Sequence, residues 1–376
     1  MAVARLSDWC VKQALPLWIV AGFDADSGHF LEGLQTDATP ETTGVLRTRT
    51  AARQIYVFAH AHALGVAPEG ALEKAERAFQ SLLDVAWVAG EKPGFARTFN
   101  RSTGEITDSG RDLYDHACVL LALAWLFKAT GNSIYRTHVD RTLSAIDTTL
   151  RAAHGGWAED DAGVIPRRQN PHMHFFEACL ALAENTGDGR YLARAGEMFG
   201  LFRTQFFDVE TGLLTEHFGA AWEKGETYGS HRFEPGHMAE WVWLVRRHAR
   251  LADCDADRIC FSLLTRALAI GQKPGDVFLA DEASADGEPL KNSRRLWPQA
   301  ELLKAYLMQY RALGEQSMLD AADTLTDALF ETYLAHETPG GWRDCFDLDG
   351  NFIAKTMPAS SLYHVFTGVA ELYAKP

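Results

Sequence analysis

The chain has 376 residues, with 36 basic against 50 acidic side chains and a net charge of −14 at pH 7. So acidic a chain repels phosphate backbones, which excludes nucleic acid as an expected partner, while 47% hydrophobic residues suffice for a sizeable core. The opening MAVARLSDWC lacks a signal-peptide core, no stretch is expected to reach the roughly 18 apolar residues of a membrane span, and six cysteines without a CxxC pair fit reduced thiols in a cytoplasmic protein.

Taken in chain order, two kinds of helical run alternate. Asp8–Val20 has helical spacing of apolar and charged residues. "DSGHFLEGL" follows, a short β-like run with turn residues. "RTRTAARQIYVFAHAHALG" then starts at Arg47 and carries Arg53. Glu69–Trp87 is amphipathic, with Glu73, Glu76 and Arg77 set against Leu72, Ala75, Phe79 and Leu83. "FARTFNRSTGEITDSG" leads into a nearly all-apolar run from Gly110 that carries Asp115 and His116. The alternation continues: amphipathic runs over Ser133–Ala152, Arg190–Phe206, Asp255–Ile270 and Glu315–Leu334, each followed by a Gly- and Asp-rich connection and a second helical start. Those starts are "NPHMHFFEACLALAENTGD" with Asn170, His174 and Glu177, "EPGHMAEWVWLVRR" with His237 and Glu240, "RLWPQAELLKAYL" with Trp297 and Glu301, and "MPASSLYHV" with His364.

Arg53, Asp115, His174, His237, Glu301 and His364 are separated by 62, 59, 63, 64 and 63 residues. A period of about 60 marks a repeated supersecondary unit. The amphipathic runs read as outer helices covering a core, and the more uniformly apolar ones as inner helices buried on most sides. Six such hairpins close into an all-α (α/α)6 barrel over residues 1–376, one catalytic domain, with small β-hairpins expected at the mouth where the inner helices begin.

The closed ring would bring Arg53, Asp115, His116, Asn170, His174, Glu177, His237, Glu240, Trp297, Glu301 and His364 to one pit. Residues three and four apart share a helix face, so His237, Glu240, Trp241 and Leu244 form a stripe that is polar at its start and apolar further along. A lone helix-start histidine is most often a cap or a core residue, and a first-turn glutamate most often complements the helix dipole. Recurrence at one phase is what singles these residues out. Histidine exchanges protons near neutral pH, a nearby glutamate orients it or favours its charged form, and Arg53 and Asn170 are suited to hold and polarise oxygens. Trp241, Trp297 and Phe233 offer flat faces to a sugar ring. The set fits proton transfer next to the carbonyl of a small polyol, by isomerisation or epimerisation.

Three other readings stand beside it. Histidine with glutamate binds zinc or manganese, but no HxxxH or HExxH spacing is present, and His172 and His174 point to different sides. Asp115, Glu177, Glu240 and Glu301 contain enough carboxylates for a glycoside hydrolase pair. A non-catalytic sugar-binding protein needs no proton chemistry at all. Arg167, Arg168, Arg294 and Arg295 precede inner helices and read either as solvated charge or as partners of an anionic group on a 6-substituted sugar.

"NPHMHFFEACLALAENTGD", "PGHMAEWVWLV", "LWPQAELLKAYL" and "MPASSLYHV" resemble the N-acylglucosamine 2-epimerase superfamily along essentially the whole chain, and "MPASSLYHV" resembles its D-mannose isomerase branch. The resemblance implies an (α/α)6 barrel, catalytic roles for His237 and His364, and substrate contacts from Arg53, Asn170, His174, Glu177 and Glu240, to which the residue reading adds Trp297 and Glu301. It implies no metal, no cofactor and no partner beyond a monosaccharide. The implied route is a cis-enediol between mannose and fructose, with lyxose and xylulose as side substrates. His364 would move the proton between C2 and C1, and His237 would open the ring, oriented by Glu240. A 2-epimerase of the N-acylglucosamine, mannose/glucose or cellobiose type would use nearly the same residues.

Overall fold

In the computed structural model, which describes residues 2–373, the alternation of the sequence becomes two concentric rings of six helices. The inner helices are Thr48–Ala63, Leu113–Thr130, Gln169–Thr186, Pro235–Ala252, Leu296–Leu313 and Ala359–Tyr373. Each packs on the next, and the last packs on the first. The outer ring comprises Ala71–Ala86, Ile134–Thr149, Gly189–Leu201, Asp257–Gly271 and Gln316–Glu331. Its sixth member is the first helix of the chain, Ala2–Trp9 continued through a π-turn at Cys10–Ala14 into Leu15–Ala21, which starts earlier than its spacing suggests. Outer helices bury one stripe, as Ala71, Ala75, Ala78, Phe79, Leu82 and Ala86 show. Inner helices are buried nearly all round.

The inner helix Leu113–Thr130 corrects one expectation. By length and composition it could cross a membrane, with mean hydropathy 1.2, but 72% of it is buried inside the ring. The six cysteines form no disulfide, and four are buried.

Strands gather at the mouth as expected, and each connection carries a local antiparallel pairing, from a short hairpin down to a single bridge. Phe23–Asp24 pairs with His29–Phe30, Trp87–Val88 with Gly94–Phe95, and Thr98–Asn100 with Ile106–Asp108. The other pairs join neighbouring connections: Val45–Arg47 with Thr98–Asn100, Arg167–Arg168 with His217–Phe218, and Arg294–Arg295 with Cys345–Phe346. Thr356–Pro358 pairs with Gly33–Gln35 and closes the circle between the last connection and the first. Two- and three-residue strands cannot stand as free hairpins, so they are stabilised against the adjacent unit.

This stitching fixes where the inner helices start. The first N–H of a helix has no intrahelical partner. Here Thr48, Leu113, Gln169, Leu296 and Ala359 each donate it to a carbonyl of the neighbouring connection: Arg97, Glu159, Glu216, Asp344 and Glu32 respectively. The sixth inner helix opens with Pro235, which has no N–H to satisfy.

Candidate active site

The N-terminal ends of the inner helices enclose a cavity of about 290 Å³ whose walls include Arg53, Asn170, His174, His237, Trp297 and His364. Six of the sequence-selected residues therefore share one surface. Glu177, Glu240 and Glu301 are 1%, 0% and 0% exposed; they lie beneath the cavity as supports and do not line it. Asp115 is also fully buried, ion-paired to Arg49 at 3.1 Å, with its pKa raised to about 8 by burial and by neighbouring Asp112. His116 faces away: its Nε2 accepts the Phe95 N–H (2.9 Å) and its Nδ1 lies 2.7 Å from the Asp112 carbonyl oxygen. That is a core histidine satisfied by backbone.

The apolar faces are also redistributed. Trp297 lines the cavity, with its ring centroid 5.1 Å from that of His237 and 5.3 Å from that of His364. Trp241 instead is fully buried, stacks on Phe202 and Phe176, and donates its indole N–H to Gln169 Oε1. Phe233 belongs to the core. Gly236 makes room for Trp297, because a Cβ there would come within 2.7 Å of the indole ring.

His237 is oriented from outside its own helix. Its Nδ1 is 3.0 Å from Glu216 Oε2 and 3.8 Å from Glu234 Oε2. Gln169 Nε2 donates to the same Glu216 oxygen at 2.9 Å. Glu240, expected to orient His237, is not its hydrogen-bond partner, because it sits one turn further down the helix, below the cavity floor. Burial alone would lower the pKa of His237, but Glu216 and Glu234 outweigh it and raise the value to about 9. Asn170 Nδ2 lies 3.2 Å from His237 Nε2. With the ring protonated, the side-chain amide must turn its oxygen to that nitrogen.

His364 is set the opposite way. Its Nδ1 is 2.6 Å from Glu301 Oε1, leaving Nε2 to the cavity. Burial pushes its pKa well down, assisted by the charges of Arg53 and Lys304. His174 shows a third arrangement, with Nδ1 3.0 Å from Glu177 Oε2, Nε2 3.2 Å from Arg53 Nη2, and its ring stacked on Tyr114 at 4.7 Å. Tyr363 donates its hydroxyl to the same Glu177 oxygen at 2.5 Å. Burial lowers the pKa of His174 despite the nearby glutamates, so it serves as a neutral relay between Glu177 and Arg53.

Of the four arginines before inner helices, only Arg295 lines the cavity. Arg167 is buried, stacked 3.5 Å over Trp222 and spent on backbone carbonyls. Arg168 pairs with Glu159 and Arg294 with Asp276. Tyr114, Glu216, Glu234, Lys291, Ser360 and Ser361 were not singled out by sequence. Among the described residues, three sets could hold a metal ion, each placing one ligand atom per residue within 4.8 Å of the others: His174, Glu177 and Glu240; Glu216, Glu234 and His237; Glu240, Glu301 and His364.

Residues 28–368 match the model of the N-acylglucosamine 2-epimerase (GlcNAc 2-epimerase) family. A protein of Rhizobium meliloti (strain 1021) named mannose-6-phosphate isomerase is 33% identical, over 99% of this chain and 97% of its own. A D-mannose isomerase of Thermobifida fusca is 27% identical over 65% of each chain. Among solved structures, a D-mannose isomerase superposes with a TM-score of 0.88 at 19% identity, covering 98% of this chain and 97% of that one.

Proposed function

The chain belongs to the N-acylglucosamine 2-epimerase family, and from that premise we propose that it is an aldose–ketose isomerase interconverting D-mannose and D-fructose by metal-independent proton transfer through a cis-enediol. One observation carries this reading. Two histidines on the same small cavity, both beside Trp297, sit in opposite electrostatic surroundings: Glu216 and Glu234 raise the pKa of His237 to about 9, whereas burial and the charges of Arg53 and Lys304 lower that of His364. Pairs of titratable groups pushed apart by their environments are what acid–base division of labour requires.

His237, as imidazolium, protonates the ring oxygen as its bond to C1 breaks, with Asn170 steadying the same atom, and takes up in exchange the proton that the C1 hydroxyl releases as it becomes the aldehyde. His364 Nε2 removes the C2 proton of the open-chain aldose. Arg53, backed by His174 and Tyr114, stabilises the oxygen on which charge develops. His364 then returns the proton to C1 while the proton of the C2 hydroxyl passes to O1, giving the ketose. A cavity of about 290 Å³, at the lower end of small-molecule sites, suits a monosaccharide. The test is incubation with mannose, glucose, fructose, lyxose and N-acetylmannosamine, followed by NMR of the products. Mannose and fructose should interconvert. Glucose from mannose without fructose would mean a 2-epimerase instead.

A second reading has its own support. Lys291 and Arg295 reach the cavity, and the 33% identical relative is named for mannose 6-phosphate. Both cations are already paired, however, Lys291 with Glu282 and Arg295 with Asp281, each at 3.0 Å. A phosphate would have to displace those carboxylates, so the neutral sugar stands first. Competition between mannose and mannose 6-phosphate ranks the two directly.

A further inference from the structure

Beneath His364 lies a lysine that no substrate could reach. Lys304 is 0% exposed on the inner helix Leu296–Leu313. Its Nζ is 2.7 Å from Glu301 Oε2 and 3.6 Å from the Trp243 ring centroid. Neither Nζ nor that oxygen has an aligned hydrogen-bond partner among the described residues, so the pair is held by charge. The Trp243 face replaces water on the other side of the ammonium, and its indole N–H is anchored on Glu371 at 2.7 Å.

Three carboxylates are buried in this layer. Glu177 Oε2 is bound by His174 and Tyr363, while its Oε1 has no hydrogen-bond partner among the described residues. Glu240 has no hydrogen-bond partner on either oxygen among the described residues. Glu301 faces Lys304 on one oxygen and His364 on the other. We propose that Lys304 is a positioning residue of the active site: its ammonium keeps Glu301 a carboxylate, and that carboxylate keeps the His364 proton on Nδ1, so that Nε2 faces the cavity as a base.

The alternative state shows why the charge matters. A neutral Glu301 could donate its own O–H to Nδ1. The imidazole would then carry its proton on Nε2 and offer the cavity no lone pair. Burial, Glu240 and Glu177 drive Glu301 well above the usual carboxylate range even with Lys304 opposing them, so the carboxylate depends on the direct 2.7 Å contact with the ammonium. Lys304 also acts on His364 itself, lowering its pKa along with burial and the charge of Arg53. Removing the ammonium therefore raises both groups, and both changes disable the base on the acid side.

The inference rests on the reading of His364 as the base, and the test separates the two. Lys304→Met keeps the length of the side chain and removes its charge. With the fold checked by circular dichroism, KM should stay within about threefold, since Lys304 does not line the cavity. At pH 7 kcat should fall at least about tenfold, part of the 10²–10⁴ that a positioned base supplies. The acid limb of kcat/KM should move up by about one pH unit or more, with activity partly recovered at higher pH. Glu301→Gln should also lose turnover, and adding Lys304→Met to it should cost much less than Lys304→Met costs alone. An unchanged acid limb, or full additivity in the double variant, overturns the proposal. Loss of activity in His364→Ala alongside a normal Lys304→Met profile would reject Lys304 alone; an active His364→Ala would reject the base itself. The unmodified protein offers a second readout, independent of any folding defect. The ¹⁵N imidazole signals of His364, assigned by difference against His364→Gln, should show protonated Nδ1 and bare Nε2. The opposite tautomer at pH 7 refutes the role.

Discussion

His237 Nδ1 lies 3.0 Å from Glu216 Oε2, so the charge on one wall of the cavity is set by a residue 21 positions away, on the connection that precedes the helix. Glu216 is itself 2% exposed and held by Gln169, whose backbone N–H also donates to the Glu216 carbonyl oxygen. One residue thus both fixes the start of an inner helix and tunes the histidine on the next.

Glu216→Gln should bring the alkaline limb of kcat/KM down from about 9 by about 1–3 units, the scale of one adjacent opposite charge. The same pair affects stability. His237 has a folded pKa raised above its ordinary 6.5, so its contribution is fully present below about 6.5 and is lost as pH rises through about 9. Thermal melts should show the native protein losing stability across that window and Glu216→Gln losing much less. A variant with the native alkaline limb would detach Glu216 from the chemistry.

His237→Ala and His364→Ala should each still fold, His237→Ala with a lower melting temperature because Glu216 loses its charged partner, and each should reduce kcat at least about 10²-fold, with a far smaller effect on binding of the non-reactive polyol mannitol. Near-normal turnover with lost sugar binding would make both histidines binding groups.

The inner helices and most of the cavity wall were legible because both obey one period of about 60. Arg53, His174 and His364 each stand sixth in their helices and His237 third, all in the first two turns, and burial on all sides distinguishes their helices from the outer ones. Glu216 is not legible in the helical spacing of the sequence, which reveals only partners on a histidine's own helix, at i+3. His174 does find Glu177 there, whereas the second partner came from strand pairing, which links connections far apart in sequence. A signal existed. Glu32, Arg97, Glu159, Glu216, Asp281 and Asp344 repeat with the same period, nearly all acidic, and five of them cap inner helices through their backbone carbonyls. Trp241 misled for a different reason. Its place on the His237 face suggested the pit, but one further turn of helix carried it below the floor, into the aromatic core around Phe176 and Phe202.

Gly236→Ala should damage the site without touching a titratable group. Its new Cβ would meet the Trp297 ring at 2.7 Å and Pro298 Cβ at 2.9 Å, contacts that require two packed helices to move. Overpacking of this kind costs about 1–3 kcal/mol. The expected result is a lower melting temperature, an altered Trp297 environment in near-ultraviolet circular dichroism, and a raised KM. Native stability and kinetics would mean that Trp297 is mobile and does not shape the cavity.

Activity should survive exhaustive dialysis against EDTA. The three His–Glu groupings that could bind a metal already have internal uses: Glu216 charges His237, Glu301 pairs with Lys304, and Glu177 serves His174 and Tyr363. Loss of turnover on chelation, restored by zinc or manganese, would turn one of those sets into a metal centre and reverse the assignment.

The route itself is tested by hydrogen exchange. A proton carried by His364 Nε2 resides on an imidazolium at the cavity wall, where it exchanges with solvent before delivery. A hydride shift moves hydrogen from carbon to carbon and exchanges nothing. Mannose converted in D2O should therefore give fructose with deuterium at C1, at least in part. The label should occupy one face only, because a single base on a fixed helix sees one face of the planar enediol. Partial labelling means that transfer competes with exchange, and it supports the same route. Label at C2 of recovered aldose, with glucose forming beside fructose, would mean that a second base works from the opposite face. His237, across the cavity, is the candidate for that role, and Glu216→Gln should then change the ratio of glucose to fructose. Fructose free of deuterium after long incubation at low enzyme would remove His364 as the base, and with it the enediol.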